Sequence, residues 1–198
     1  MTARVPHDGA HWARYNAAQT GREPRELCRQ VLALAGPGLG RTAIDLGCGA
    51  GVETRALLAA GWRVHAIDSA PDTRAVVTRT AADQDLSRLT IHHAPFADLD
   101  ALPEADLVYA GYSLPYCDPS AFPRVWAAIR GALRPGGWFA GNFFGDHDSW
   151  AGTPGETYLS VDAVHALFEG LSVVSFVIED DDGDAFSLDP PRRDLAAR

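Results

Sequence analysis

Three glycines alternate at Gly47, Gly49 and Gly51, directly after the apolar run Ala43-Ile44-Asp45-Leu46. Glycine at that spacing serves a turn that visits backbone angles a Cβ resists, and it lets a ligand lie close to the main chain. Asp68 follows 17 residues after Gly51, at the end of a second apolar run. A carboxylate there accepts both hydroxyls of a ribose. The alternative is a strand-end Asp that caps the helix starting near Pro71. The dinucleotide fingerprint needs a small residue at the third position after Gly49, and this chain has Val52 there. A third glycine at Gly51 instead favours a nucleoside without a pyrophosphate.

A second group carries acid–base chemistry. In Asp146-His147-Asp148 an imidazole flanked by carboxylates can titrate near neutral pH, which makes His147 the candidate general base. The competing reading is a solvated polar loop. His92 and His93 look like a metal pair, but adjacent strand residues point to opposite faces, so no metal site is expected. Cys28, Cys48 and Cys117 are odd in number and have no metal-ligand spacing. Arg22, Arg25 and Arg29 fall at helical spacing and read as a solvated face.

These residues need a scaffold of alternating strands and helices. Apolar runs predict strands over 42–46, 63–68, 89–93, 106–110, 138–143 and 171–179. Helices are expected over 24–35, where Leu27, Val31 and Leu34 share one side, and over 52–60, 71–82, 120–133 and 160–168, the last capped by Ser160. The acidic run 180–184 reads as a turn. Alternation of this kind gives an α/β fold with a mostly parallel sheet and helices on both faces. No repeat or linker divides the chain, so one domain over 1–198 is expected.

Bulk composition narrows the partners. With 198 residues and 46% apolar content, the chain can bury one sizeable core. Its net charge is −9, and all 17 basic residues are Arg, which argues against a nucleic-acid backbone as substrate. No apolar run reaches the length of a membrane helix and the first eight residues contain no apolar signal region, so a cytoplasmic protein is expected.

The stretches 44–51 (Ile-Asp-Leu-Gly-Cys-Gly-Ala-Gly), 64–68 (Val-His-Ala-Ile-Asp) and 133–137 (Leu-Arg-Pro-Gly-Gly) occur in an order that resembles the class I S-adenosylmethionine (SAM)-dependent methyltransferases. The segments 107–116 and 143–150 are similar to small bacterial methyltransferases of the tellurite-resistance type. The resemblance implies a doubly wound, Rossmann-like sheet with an antiparallel C-terminal edge. It also implies an N-terminal lid over 1–23 and SAM as cofactor, with S-adenosylhomocysteine (SAH) as product. On that basis Gly47, Cys48 and Gly49 lie under the methionine part. Asp45 holds the turn or reaches the amino group, Asp68 takes the ribose, and Ser69 lies beside the adenine. Pro95 stands where the family usually has an acid, leaving Phe96 to hold the adenine, while Ala110 ends strand four against the cofactor. Tyr15 and Arg22 on the lid are expected at the cofactor's carboxylate. Tyr112 and Tyr116 would turn hydroxyls or ring faces toward the positive sulfur.

The function implied is methyl transfer to a small-molecule acceptor through O, N or S. The alternatives are a non-methylating reaction such as cyclisation on the same cofactor, or a non-catalytic partner subunit. Pro190 and Pro191 disfavour a central strand, so strand seven of the family is expected to be short, displaced or lost in the tail 171–198. Completion of that edge by a second copy, as a homodimer, is one outcome.

Overall fold

A computed structural model describes residues 9–183 and 192–197. Five strands, β1 (Thr42–Leu46), β2 (Arg63–Asp68), β3 (Leu89–His93), β4 (Ala105–Ala110) and β5 (Leu133–Gly141), form one parallel sheet in the order β3-β2-β1-β4-β5. Parallel strands covered on both faces read as continuous apolar runs. The central pair obeys this: every residue of β1 after Thr42 is buried, as is every residue of β4 except Asp106.

The helices are α1 (Gly9–Gln19), α2 (Glu26–Ala35), α3 (Val52–Ala59), α4 (Thr73–Thr80), α5 (Phe122–Ala132) and α6 (Val161–Leu167). Strand side chains alternate between the two faces. Ala43, Val64, Leu107 and Tyr109 pack with Cys28 and Val31 of α2 and with Leu57 and Leu58 of α3. Ile44, Leu46, Val108 and Ala110 pack on the other face with Val125, Trp126 and Ile129 of α5. Leu34 leaves the apolar side expected for α2 and is 52% exposed, beside β5. Ser160 caps α6 as expected, its Oγ accepting the Ala163 N–H at 3.1 Å.

The order of strands reverses between β1 and β4. The chain moves outward from β1 through β2 to β3, then returns to β4 and β5 on the other side. A crevice therefore opens above the C-terminal ends of β1 and β4, where open α/β sheets take their ligands.

β5 starts earlier than the expected 138. Ala105 pairs with Leu133 and Leu107 with Trp138, so residues 134–137 form a bulge that accommodates Pro135 and the left-handed Gly136. After Asn142 the chain re-enters a second sheet of β6 (Phe143–Gly145), β7 (Tyr158–Leu159), β8 (Ile178–Gly183) and β9 (Arg192–Ala197), in the order β7-β6-β9-β8.

The C-terminal edge is antiparallel, and the last strand is displaced but not short: six-residue β9 pairs with β6 at only two positions and with β8 along its length. Pro190 and Pro191 lie outside the described residues. Two expectations fail here. Residues 171–177 are not a strand, and Val173 and Val174 are 50% and 62% exposed. The acidic run 180–182, expected as a turn, lies within β8, because six residues of antiparallel pairing to β9 outweigh its poor strand propensity.

Candidate functional site

The crevice is a cleft walled by the β1–α3 turn, the end of β2, and Gly111, Tyr112, Ser113 and Tyr116 after β4. Helix α1 and the segment after it close the remaining side through Trp12, Tyr15, Asn16, Gln19, Arg22 and Arg25.

The glycine turn is shaped by the protein as much as by any ligand. Gly47 has φ +77°, and a Cβ there would stand 2.2 Å from the Ser113 Cβ. Ser113 is fixed in turn, its Oγ donating to the Leu46 carbonyl at 2.6 Å. The N–H groups of the turn are largely committed. Those of Gly47 and Cys48 donate to the Ile67 carbonyl at 2.8 and 3.1 Å, that of Gly49 to Asp68 Oδ2 at 2.8 Å, and that of Gly51 to the Cys48 carbonyl at 2.8 Å.

Asp68 faces the cleft from the end of β2. It accepts the Gly49 N–H on Oδ2 and the Ala70 N–H on Oδ1 at 2.9 Å. A carboxylate has about four lone-pair sites, so two remain for hydroxyls. Ser69 lines the same wall, and its carbonyl is held by His93 Nε2 at 2.8 Å.

Asp45 corrects one expectation. It is buried behind the turn, is absent from the cleft wall, and accepts the Thr54 hydroxyl at 2.6 Å, so it ties β1 to the start of α3. Burial, with Glu53 nearby as the next cause, pushes its carboxyl up to about 7. Of the two roles expected for it, holding the turn is the one this geometry permits.

Arg22 lines the cleft, but its guanidinium is forked onto Glu53, at 2.6 Å to Oε1 and 2.8 Å to Oε2. Arg25 is different. Its Nη2 donates to the Tyr15 hydroxyl at 2.6 Å, its guanidinium lies 4.7 Å from the centre of the Tyr112 ring, and no carboxylate among the described residues pairs with it. Only Arg29 of the three behaves as a solvated face, pairing with Glu26 at the surface.

Aromatic rings fill the far end. Trp12 meets Tyr15 and Tyr116 edge-on, at 5.8 and 4.6 Å between centroids, and Tyr116 meets Phe144 at 5.5 Å. Tyr112 and Tyr116 both line the cleft. Phe96 and Ala94 line the cleft and Pro95 does not; Ala110 is fully buried, and Gly111 takes its place at the wall.

His147 is the main correction. Its side chain is 83% exposed, 4.0 Å from Asp146, and it lines a separate groove with Phe143, Ser160 and Asp162. β6 carries the chain past the end of the parallel sheet and delivers the 146–148 turn outside the cleft.

Trp12, Asn16, Arg25 and Glu53 are among the wall residues that sequence reasoning missed. Arg25 had a signal, three residues after Arg22; Glu53 sits in the first turn of α3, where an acid passes for a dipole partner.

Comparison with known proteins agrees with this geometry. Residues 43–137 match the family model described as a methyltransferase domain. Among solved structures, TehB from Haemophilus influenzae is similar with a TM-score of 0.73 at 11% identity, over 93% of this chain and 65% of that one. The N-methyltransferase NodS from Bradyrhizobium japonicum, in complex with SAH, is similar with a TM-score of 0.67 at 18% identity, over 96% of both chains. Ribosomal RNA small subunit methyltransferase H of Sphingopyxis alaskensis is 39% identical over 84 residues, which span 41% of this chain and 26% of that protein. The chain thus covers about a quarter of that curated relative. The match to a methyltransferase domain over residues 43–137 and the likeness of fold to TehB and NodS agree with the resemblance to the class I SAM-dependent methyltransferases.

Proposed function

We propose that the chain moves a methyl group from SAM to a small-molecule acceptor bound in the same cleft. The observation that carries this reading is the commitment of the turn's N–H groups. A dinucleotide's pyrophosphate needs several free donors at that turn, and here Gly47, Cys48, Gly49 and Gly51 spend theirs on Ile67, Asp68 and Cys48. Asp68 is left facing the cleft with acceptor capacity for a ribose. The residues present fit a nucleoside that carries no phosphate.

In this reading Asp68 holds the ribose, Ser69 and Phe96 flank the adenine, and Arg25 with Tyr15 takes the carboxylate in place of Arg22. The bound cofactor supplies a methyl group on an already activated sulfonium. Holding the acceptor in line at contact distance therefore provides much of the rate, and a general base serves only an acceptor that must lose a proton. Tyr112, Tyr116 and Trp12 form the wall against which an acceptor is held.

Support for a small acceptor comes from the net charge of −9 and from the aromatic lining. One structure in the comparison holds a small-molecule acceptor: the Burkholderia thailandensis 1,6-didemethyltoxoflavin-N1-methyltransferase, similar with a TM-score of 0.56 at 20% identity over all of this chain and 92% of that one, binds 1,6-didemethyltoxoflavin with SAH. Among the described residues no helix is long and apolar enough to cross a membrane. A single domain acting in the cytoplasm is part of the same proposal.

Titration calorimetry decides between ligands. SAH should bind one to one, and NAD should give no heat above dilution. No heat with SAH, or tighter binding of NAD, would overturn the cofactor assignment.

A further inference from the structure

We propose that Asn142 is a positioning residue of the cleft: it clamps Tyr112 in a left-handed backbone conformation and so holds the Tyr112 ring at the wall beneath Arg25. The proposal rests on the reading of this cleft as the SAM site.

Asn142 fills the gap between β5 and β6 and is fully buried. Its Oδ1 accepts the Tyr112 N–H at 3.1 Å, and its own backbone N–H donates to the Ala110 carbonyl at 3.3 Å. The two bonds bracket Gly111, so the end of β5 grips the first residues after β4. Tyr112 has φ +52°; among the described residues Leu39 is the other non-glycine with positive φ, and it is an 86% exposed turn residue. A residue with a Cβ is sterically disfavoured in that region. Such a conformation persists only where its surroundings over-determine it.

At Tyr112 the surroundings are specific. On the sheet side, a Cβ at Gly111 would stand 2.2 Å from the Tyr109 hydroxyl, so the backbone there cannot move inward without displacing a buried side chain. On the cleft side, the Arg25 guanidinium covers the Tyr112 ring. Between them, Asn142 fixes the peptide. The Tyr112 N–H dictates which way the amide points, because the opposite orientation would set donor against donor. Nδ2 is then buried with no partner among the described residues. An apolar side chain would fill this position without stranding a polar group. What Asn142 adds is the acceptor for Tyr112.

A double-mutant cycle read by SAH titration calorimetry, with thermal unfolding alongside, tests this. Asn142→Ala should weaken SAH about tenfold, the scale of one released backbone strain, and Asn142→Asp, which keeps the acceptor, should recover most of that loss. In a Tyr112→Gly background the left-handed backbone costs nothing, and Asn142→Ala should there change affinity by less than about twofold. Should Asn142→Ala not fold, Asn142→Leu removes the acceptor while keeping the volume, and it enters the same cycle. An equal loss in both backgrounds, or no loss in a folded single variant, overturns the positioning role. Failure of the unaltered chain to bind SAH overturns the cofactor assignment, and this proposal with it.

Discussion

Arg22 grips Glu53 through two parallel bonds, and Glu53 Oε1 also accepts the backbone N–H of Arg25 at 3.1 Å. The Glu53 side chain is 8% exposed and that of Arg22 25%. This fork ties the segment after α1 to the first turn of α3, and it uses up the cation that the sequence offers most readily to an anionic ligand. Removal of either partner has unequal consequences. Arg22→Ala strands a buried carboxylate and should cost about 2–3 kcal/mol, at the low end for buried pairs because Arg22 is partly exposed. Glu53→Gln leaves a cation that can turn to solvent and should cost less. Urea denaturation of both variants checks the order, and a larger loss for Glu53→Gln would refute it.

Arg25 should show the opposite profile. Its side chain meets Tyr15 and Tyr112 and no carboxylate among the described residues. Arg25→Ala is expected to weaken SAH by about tenfold, the scale of one charge-assisted bond, with little change in melting temperature. If adenosine, which lacks the amino-acid tail, loses as much affinity as SAH, Arg25 does not read the carboxylate.

Asp68 carries two backbone N–H bonds in addition to its place at the cleft wall. Asp68→Ala should weaken SAH by about 1.5–3 kcal/mol, the range for hydrogen bonds to a charged group. An unchanged dissociation constant in a folded variant would remove the ribose assignment.

The parallel sheet was legible because its strands are short apolar runs with glycine or proline at their ends; β1, β2 and β3 lie where the pattern places them. The carboxylate of Asp68 was legible for the same reason, since strand ends fix its position relative to the glycine turn. What local pattern could not tell was direction. Asp45 is next to the end of β1 and Asp68 ends β2, yet Asp45 falls behind the turn, bonded to Thr54 of α3, and Asp68 in front of it. Arg22 and Arg25 both leave the same segment, and a partner 31 residues from Arg22, Glu53, decides which of them faces a ligand. His147 has the composition of a base, but Asn142 and β6 carry it to another groove, a consequence of pairing with strands far along the chain. The C-terminal strand was misplaced for a similar reason: its pairing partner is β9, and the alternation in 171–177 finds no partner strand.

The pH dependence of stability should carry the signature of Asp45. Burial raises its folded value from 3.8 to about 7, so the folded state holds the proton more tightly than the unfolded chain. Stability from this group is fully present below about pH 4 and is lost as pH rises through about 7. Asp45→Asn keeps an acceptor for the Thr54 hydroxyl and removes the titration. It should flatten this part of the profile and be more stable than the unaltered chain at pH 8, by about 4 kcal/mol. Denaturation midpoints at pH 5 and pH 8 compare the two, and parallel profiles would show that Asp45 does not titrate in this range.

Gly47 offers a test of what the glycine turn is for. If its freedom served only a ligand, Gly47→Ala would fold normally and fail only in binding. The geometry gives another outcome, since the new Cβ would meet Ser113 Cβ at 2.2 Å and the backbone has φ +77°. Ser113 cannot retreat without breaking its bond to the Leu46 carbonyl. Overpacking typically costs about 1–3 kcal/mol, and the left-handed alanine adds about 1–2 kcal/mol, a sum that removes a large share of the stability of an ordinary domain. Ser113→Gly removes the obstructing atom. The Gly47→Ala/Ser113→Gly pair should therefore be more stable than Gly47→Ala alone, although Ser113→Gly by itself destabilises. Additive losses in thermal unfolding would mean that the two residues do not meet, and that the turn owes its glycine to the ligand after all.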